Sequence, residues 1–197
     1  PFFEGTIKAY TKEIEKFPVS KNPNRSYIAH QGRAETFTKV RDYESAIKDY
    51  TYIIENYKGN KKNLETPTRW GFHRLHHSHR KRLELYKTLG KLEDVISDGE
   101  EMIKIVPNLD KMTQEDWGYV GYLEVARAYR SLGDPKNASE SYDSFYQFFS
   151  KFKRNRGYDR DLNLEFLSEI GNYKFSINDL DGACSAWKKI HEKEYRY

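Results

Sequence analysis

The sequence predicts an all-α fold, an α-α superhelix in which helical hairpins stack side by side into a solenoid. Three observations lead there. One residue pattern recurs five times along the chain, turn signals punctuate it, and the composition suits thin helix layers: 15% of residues are aromatic and 32% charged, with 37% hydrophobic overall. So much buryable ring area excludes a disordered chain. Stacked repeats build an extended binding surface and rarely a catalytic pocket.

The recurring pattern marks the second helix of each unit. Its copies are Thr6, Ile7, Tyr10, Ile14 and Pro18; Ala46, Ile47, Tyr50, Ile54 and Lys58; Val95, Ile96, Gly99, Ile103 and Pro107; Ala138, Tyr142, Tyr146 and Ser150; and Ala183, Trp187 and His191. Ahead of four of them stand short turns: Val40 to Tyr43, Leu89 to Leu92, Leu132 to Pro135 and Ile177 to Leu180. Gly or Asn there supplies a left-handed residue that ends one helix, and Asp caps the next. Before each turn, ring and small residues recur at helical spacing: His30, Arg33, Ala34 and Phe37; His79, Arg82, Leu83 and Tyr86; Tyr122, Val125, Ala126 and Tyr129; Leu167, Ile170 and Gly171. These are core positions, with the small residues admitting the partner helix.

The expected units are 1–20, a second helix only, then 26–58, 67–107, 114–150 and 160–195, all in one solenoid spanning 1–197. Thr66-Pro67 offers a helix start, and Thr113-Gln114-Glu115-Asp116 resembles a capping box. Lengthened first helices are expected over Pro67 to Leu89 and Gln114 to Leu132, with Asn22-Pro23-Asn24 and Arg154 to Gly157 as loops.

The stretches Ala34 to Tyr50, Leu83 to Pro107 and Ala126 to Tyr146 resemble the tetratricopeptide repeat (TPR), which sets Leu-Gly and Tyr in its first helix and Ala, Tyr or Phe, Ala and Pro in its second. The last unit, Asp181 to Lys189, looks like the closing repeat of bacterial members. One departure is plain: Thr6, Ala46, Val95, Ala138 and Ala183 are 40, 49, 43 and 45 apart, where the family repeats about every 34.

The resemblance implies a protein-interaction scaffold whose first helices line a concave groove. Transferred by register, the peptide-binding positions are Gln31, Glu35 and Lys39; His77, Arg80, Lys81 and Lys87; Leu123, Arg127 and Arg130; and Asn172. The middle of this groove is basic, so the expected ligand is an acidic or carboxylate-bearing peptide or protein. The family's carboxylate clamp is not reproduced, since Gln31, Glu35, Lys81, Val120 and Glu124 occupy its positions.

Net charge of +4 is too small to imply nucleic-acid binding by itself. Its distribution is uneven, basic from Lys58 to Lys91 and acidic from Glu93 to Asp116, so a nucleic-acid-binding repeat protein, using Lys58 to Lys91 and Lys151 to Arg160 with Trp70 and Phe72 for stacking, is the alternative, as is a regulatory segment of a larger protein. His73 and His77 could share one helical face for zinc, but Arg74 and Arg80 repel a cation and no Cys is near; no metal and no cofactor are expected. His79 is expected at the helix interface, the other histidines widening the basic face below about pH 6.5. No nucleophile elbow or phosphate loop occurs, and no catalytic residue is assigned. Cys184, the single cysteine, excludes an internal disulfide and is expected as a buried, inert thiol. Phe148 and Phe152 are expected to pack on the next hairpin.

No run approaches the ~20 apolar residues of a membrane span. Pro1 opens the chain inside a helix pattern, as in a trimmed or processed product. A cytoplasmic setting is favoured, and a periplasmic or exported one follows if a signal peptide was removed.

Overall fold

The structure, a computed structural model, describes residues 2–59, 69–151 and 157–194. Every regular element among them is helical: α1 (Phe2–Lys16), α2 (Pro23–Lys39), α3 (Tyr43–Gly59), α4 (Arg69–Thr88), α5 (Leu92–Ile105), a 3-10 turn (Val106–Asn108), α6 (Lys111–Trp117), α7 (Tyr119–Ser131), α8 (Pro135–Phe149), α9 (Gly157–Ser176) and α10 (Leu180–Glu194). Helices α2 and α3, α4 and α5, α7 and α8, and α9 and α10 pair as hairpins, while α1 packs on α2.

The hairpins close where the turn chemistry says they should. Gly90, Gly133 and Asn178 take positive φ at the ends of α4, α7 and α9; in the first turn Arg41 does so at φ 63°. An Arg there carries a Cβ penalty that Gly does not. Asp42, Asp134 and Asp179 accept the backbone N–H three residues on, from Ser45, Asn137 and Gly182. Asn22 does the same for Arg25 with Pro23 at the first helical position, so Asn22-Pro23-Asn24 is a helix start and not a loop. Pro lacks the N–H that a first turn leaves unbonded, which is why it fits there.

The small positions of the second helices seat the hairpins: Ala46, Ala138 and Ala183 are wholly buried and Val95 nearly so. The core is a row of clusters that bridge neighbours. Tyr27, Ala34, Ala46, Tyr50 and Leu85 join α2, α3 and α4. Leu83, Val95, Met102 and Ala128 join α4, α5 and α7; Tyr142, Phe145, Phe149, Phe166 and Ile170 join α8 and α9. This neighbour-to-neighbour layout is what makes a solenoid.

Surplus residues appear in two forms. Helices α4 and α9 run to 20 residues each. Between α5 and α7 the surplus instead makes the 3-10 turn and α6, separated from α7 at Gly118. The cap of α6 is Asp110, whose side chain accepts from the Thr113 N–H, three residues ahead of the expected capping box; an Asp with an extended backbone is the better terminator. Thr66-Pro67 and Arg154 to Arg156 lie outside the described residues, whereas Gly157 opens α9.

Phe148 packs backwards, against the cluster of Ile54, Leu75, Ile105, Val106 and Leu109 and stacked on Tyr122 at 4.9 Å, because the 3-10 turn brings apolar area there; Phe152 is outside the described residues. Cys184 is exposed beside the buried Ala183, since neighbours on a helix point about 100° apart. Among the described residues no helix is long and apolar enough to cross a membrane.

Candidate functional site on the leading-helix face

Four leading helices, α2, α4, α7 and α9, are bridged in series by side chains. Gln31 of α2 reaches His77 of α4 at 3.4 Å and donates to Glu35 at 2.8 Å. Lys87 of α4 pairs with Glu124 of α7 at 2.6 Å. Arg127 of α7 grips Glu169 of α9 in two-pronged fashion, Nε to Oε1 at 3.0 Å and Nη2 to Oε2 at 2.6 Å. The result is one continuous polar face.

Between α2 and α4 that face opens into a cleft of about 440 Å³ lined by Glu35, Thr38, Lys39, Tyr43, Tyr50, Lys81, Glu84, Leu85 and Thr88. The register thus brings Glu35, Lys39 and Lys81 together. Tyr50 is buried among core residues, and burial, aided by nearby Glu35, pushes its hydroxyl well above the usual range; it stays neutral. Lys81 pairs with Glu84 at 2.9 Å, both partly exposed.

Other expected site residues behave differently. Leu123 is no surface residue: it is buried in the cluster shared by α7, α8 and α9, because its apolar side chain falls on the stripe that continues through Ala126. Arg127 and Arg130 face Glu169, at 2.6 and 4.0 Å. Hydrogen bonds that Arg127 donates to Glu169 raise the Arg127 pKa further against the desolvation that opposes it. Burial raises the Glu169 pKa, but bonds from Arg127 and the Tyr142 hydroxyl outweigh it and leave the carboxyl below its ordinary range. Glu124 is itself nearly buried. Asn172 is exposed on α9. The cations from Arg80 to Arg130 therefore sit in a zipper of ion pairs, Arg80 and Lys81 with Glu84 of their own helix, and Lys87, Arg127 and Arg130 with acidic residues of the helix alongside.

The four histidines of α4 go to three different places. His79 is buried at the α4–α5 interface and bonds Asp98 at 2.8 Å. His73 bonds Asp110 at 2.5 Å. His76 and His77 do not widen a basic face: burial, then the charge of Arg80, pushes His76 down to about 4 and lowers His77 as well. Among the described residues no group of three or more His, Cys, Asp or Glu converges as a metal site.

One constellation was readable in the sequence, where His30, Arg33, His79 and Arg82 are expected as core positions but nothing joins them to Asp49 or Asp98. His30, Arg33 and Asp49 form a network, with His30 Nδ1 on Asp49 Oδ1 at 2.7 Å, Arg33 Nε on Oδ2 at 2.8 Å and Arg33 Nη1 on Thr11 at 3.0 Å. His79, Arg82, Asp98 and Thr51 repeat it. Both copies separate His from Asp by 19 positions and Arg from Asp by 16, and that shared offset is the signal. The opposite charges of α4 and α5 are thus partly spent in closing the hairpin.

No protein-family profile matches the sequence, and no curated protein matches it. Solved structures do. A kinesin light chain-like protein of Podosopora anserina with nearly identical TPR-like repeats superposes with a TM-score of 0.68 at 13% identity, covering 96% of this chain and 84% of that one. BtubC (BKLC) from P. vanneervenii gives 0.64 at 14% identity, covering 98% and 75%. MamA gives 0.57 at 17% identity, covering 98% and 88%. These likenesses, together with the paired helices and their bridging clusters, establish the fold as a TPR-like solenoid of helical hairpins.

Proposed function

We propose that this chain is a non-catalytic scaffold that holds an acidic peptide or protein segment along the face of α2, α4, α7 and α9, anchored in the α2–α4 cleft. The cleft carries the proposal: it combines Lys39 from α2 and Lys81 from α4 with the half-buried ring of Tyr43 over a floor formed by the core residues Tyr50 and Leu85. Apolar and ring contacts supply affinity, and the two ammonium groups orient the ligand. Exposed pairs such as Lys81–Glu84 contribute only ~0–1 kcal/mol, so a ligand carboxylate can take the place of Glu84 at little cost. Arg127, held by Glu169, keeps its partner and serves to join α7 to α9.

Selection of a random peptide display library on the purified chain tests the proposal. Enriched peptides should carry Asp or Glu beside an apolar residue, and the double variant Lys39→Glu, Lys81→Glu should bind them at least tenfold more weakly while keeping its helicity. Peptides without acidic enrichment, bound equally by the variant, would overturn it.

A further inference from the structure

We infer that the recess between α4 and α6 is a binding site for a small oxyanion, a phosphate or carboxylate group, held by His76, His77 and Arg80. It does not depend on a partner in the α2–α4 cleft. The recess measures about 170 Å³ and is lined by His73, His76, His77, Arg80, Thr113 and Trp117. That volume suits one compact polar group.

Its polar atoms are short of partners in a particular way. His76 is only 3% exposed, yet its Nε2 has no hydrogen-bond partner among the described residues. A buried ring nitrogen without a partner is costly; it is sealed from solvent as it stands, and a small turn of the ring toward the recess would let a ligand atom satisfy it. Arg80 lies over the Trp117 ring, 4.4 Å from its centre, which fixes the guanidinium at the mouth; its ion pair to Glu84 is long at 3.3 Å. His77 accepts from the Gln31 amide at Nε2, 3.4 Å away, which places its ring proton on Nδ1 as a further donor. The carboxylates nearby already have partners: Asp110 is shared between His73 and the Thr113 hydroxyl, Glu84 pairs with Arg80 and Lys81, and Glu35 accepts from Gln31.

The donor set decides between ligand classes. Imidazoles alone would also suit a metal cation, but Arg80 stands among them and repels one, and His73 is committed to Asp110. An oxyanion instead gains a charge-assisted bond from Arg80 and accepts from imidazole N–H groups. The site exists because of the surplus residues between α5 and α7: α6 delivers Thr113 and Trp117 onto the His-rich side of α4.

The test is a titration of the full chain at pH 7 with inorganic phosphate and, separately, with sodium acetate, followed by ¹H–¹⁵N NMR including the imidazole nitrogens. Saturable shifts at His76, His77, Arg80 and Thr113 are expected with at least one anion. Tighter binding of phosphate assigns a phosphoryl ligand, and tighter binding of acetate a carboxylate. Arg80→Gln should weaken the better anion at least tenfold, and Lys104→Gln, on the exposed side of α5, should leave it unchanged. Absence of saturable shifts in the unaltered chain, or shifts identical in Arg80→Gln, would overturn the site.

Discussion

Arg82 holds both carboxylate oxygens of Asp98, Nε on Oδ2 at 2.8 Å and Nη2 on Oδ1 at 2.6 Å. Its remaining prong donates to Thr51 at 2.7 Å, so one guanidinium ties three consecutive helices, α3, α4 and α5. Arg33 ties α1, α2 and α3 in the same manner through Thr11 and Asp49. At the equivalent positions of the next hairpin stand Val125 and Ser141, and there the Arg127–Glu169 pair with the Tyr142 hydroxyl joins α7, α8 and α9.

Removing the carboxylate strands the groups around it. Asp98→Ala leaves Arg82 and buried His79 facing a void, and breaking a buried pair in this way costs about 3–5 kcal/mol. Urea unfolding should show that loss. Replacing His79, Arg82 and Asp98 together by apolar residues of similar volume should cost far less, because no charge is then left unpaired. A loss under about 1 kcal/mol for Asp98→Ala would remove the network from the account of stability.

Acid should destabilise the fold in two stages. His76 sits at about 4 against an ordinary 6.5, so the unfolded chain binds its proton first; the corresponding stability is complete above pH 6.5 and is lost between 6.5 and 4. A shift of that size corresponds to about 3 kcal/mol. For Asp49 and Asp98, burial raises the pKa, but bonds from Arg and His outweigh it and hold both below the usual carboxylate value of 3.8; their contribution disappears only at lower pH. Urea midpoints at pH 7, 5.5 and 4.5, in buffers free of phosphate and carboxylates, should fall steadily in the unaltered chain. In His76→Gln the fall over that range should be clearly smaller, with the remainder due to His77, which burial also lowers.

Gly121 lies at a close approach of α5 and α7. A Cβ there would meet the Gly99 carbonyl oxygen at 2.8 Å, and backbone cannot rotate out of the way. Gly121→Ala should therefore force the helices apart and cost about 1–3 kcal/mol. Gly5 meets nothing within 4 Å, so Gly5→Ala in α1 should raise stability by about 0.5–1 kcal/mol. Paired thermal melts distinguish the two, and equal effects would contradict the packing.

Hairpin structure was determined by residues close in the chain. Ala46, Val95, Ala138 and Ala183 are buried where periodicity puts them, and Asp42, Asp134 and Asp179 cap the helices they precede, because helix phase and turn chemistry act over three or four residues. The polar face was legible only as a register: Lys39 and Lys81 do share a cleft, but whether a cation is free or paired depends on a residue far along the chain. Arg127 finds Glu169 42 positions away, His73 finds Asp110 37 away, and Leu123 turns inward to α8 and α9. Such pairings follow from how far apart and at what angle neighbouring helices settle, which is set by side-chain packing between hairpins. Local pattern therefore chose the architecture, and packing between helices chose which charges face a ligand and which hold the solenoid together.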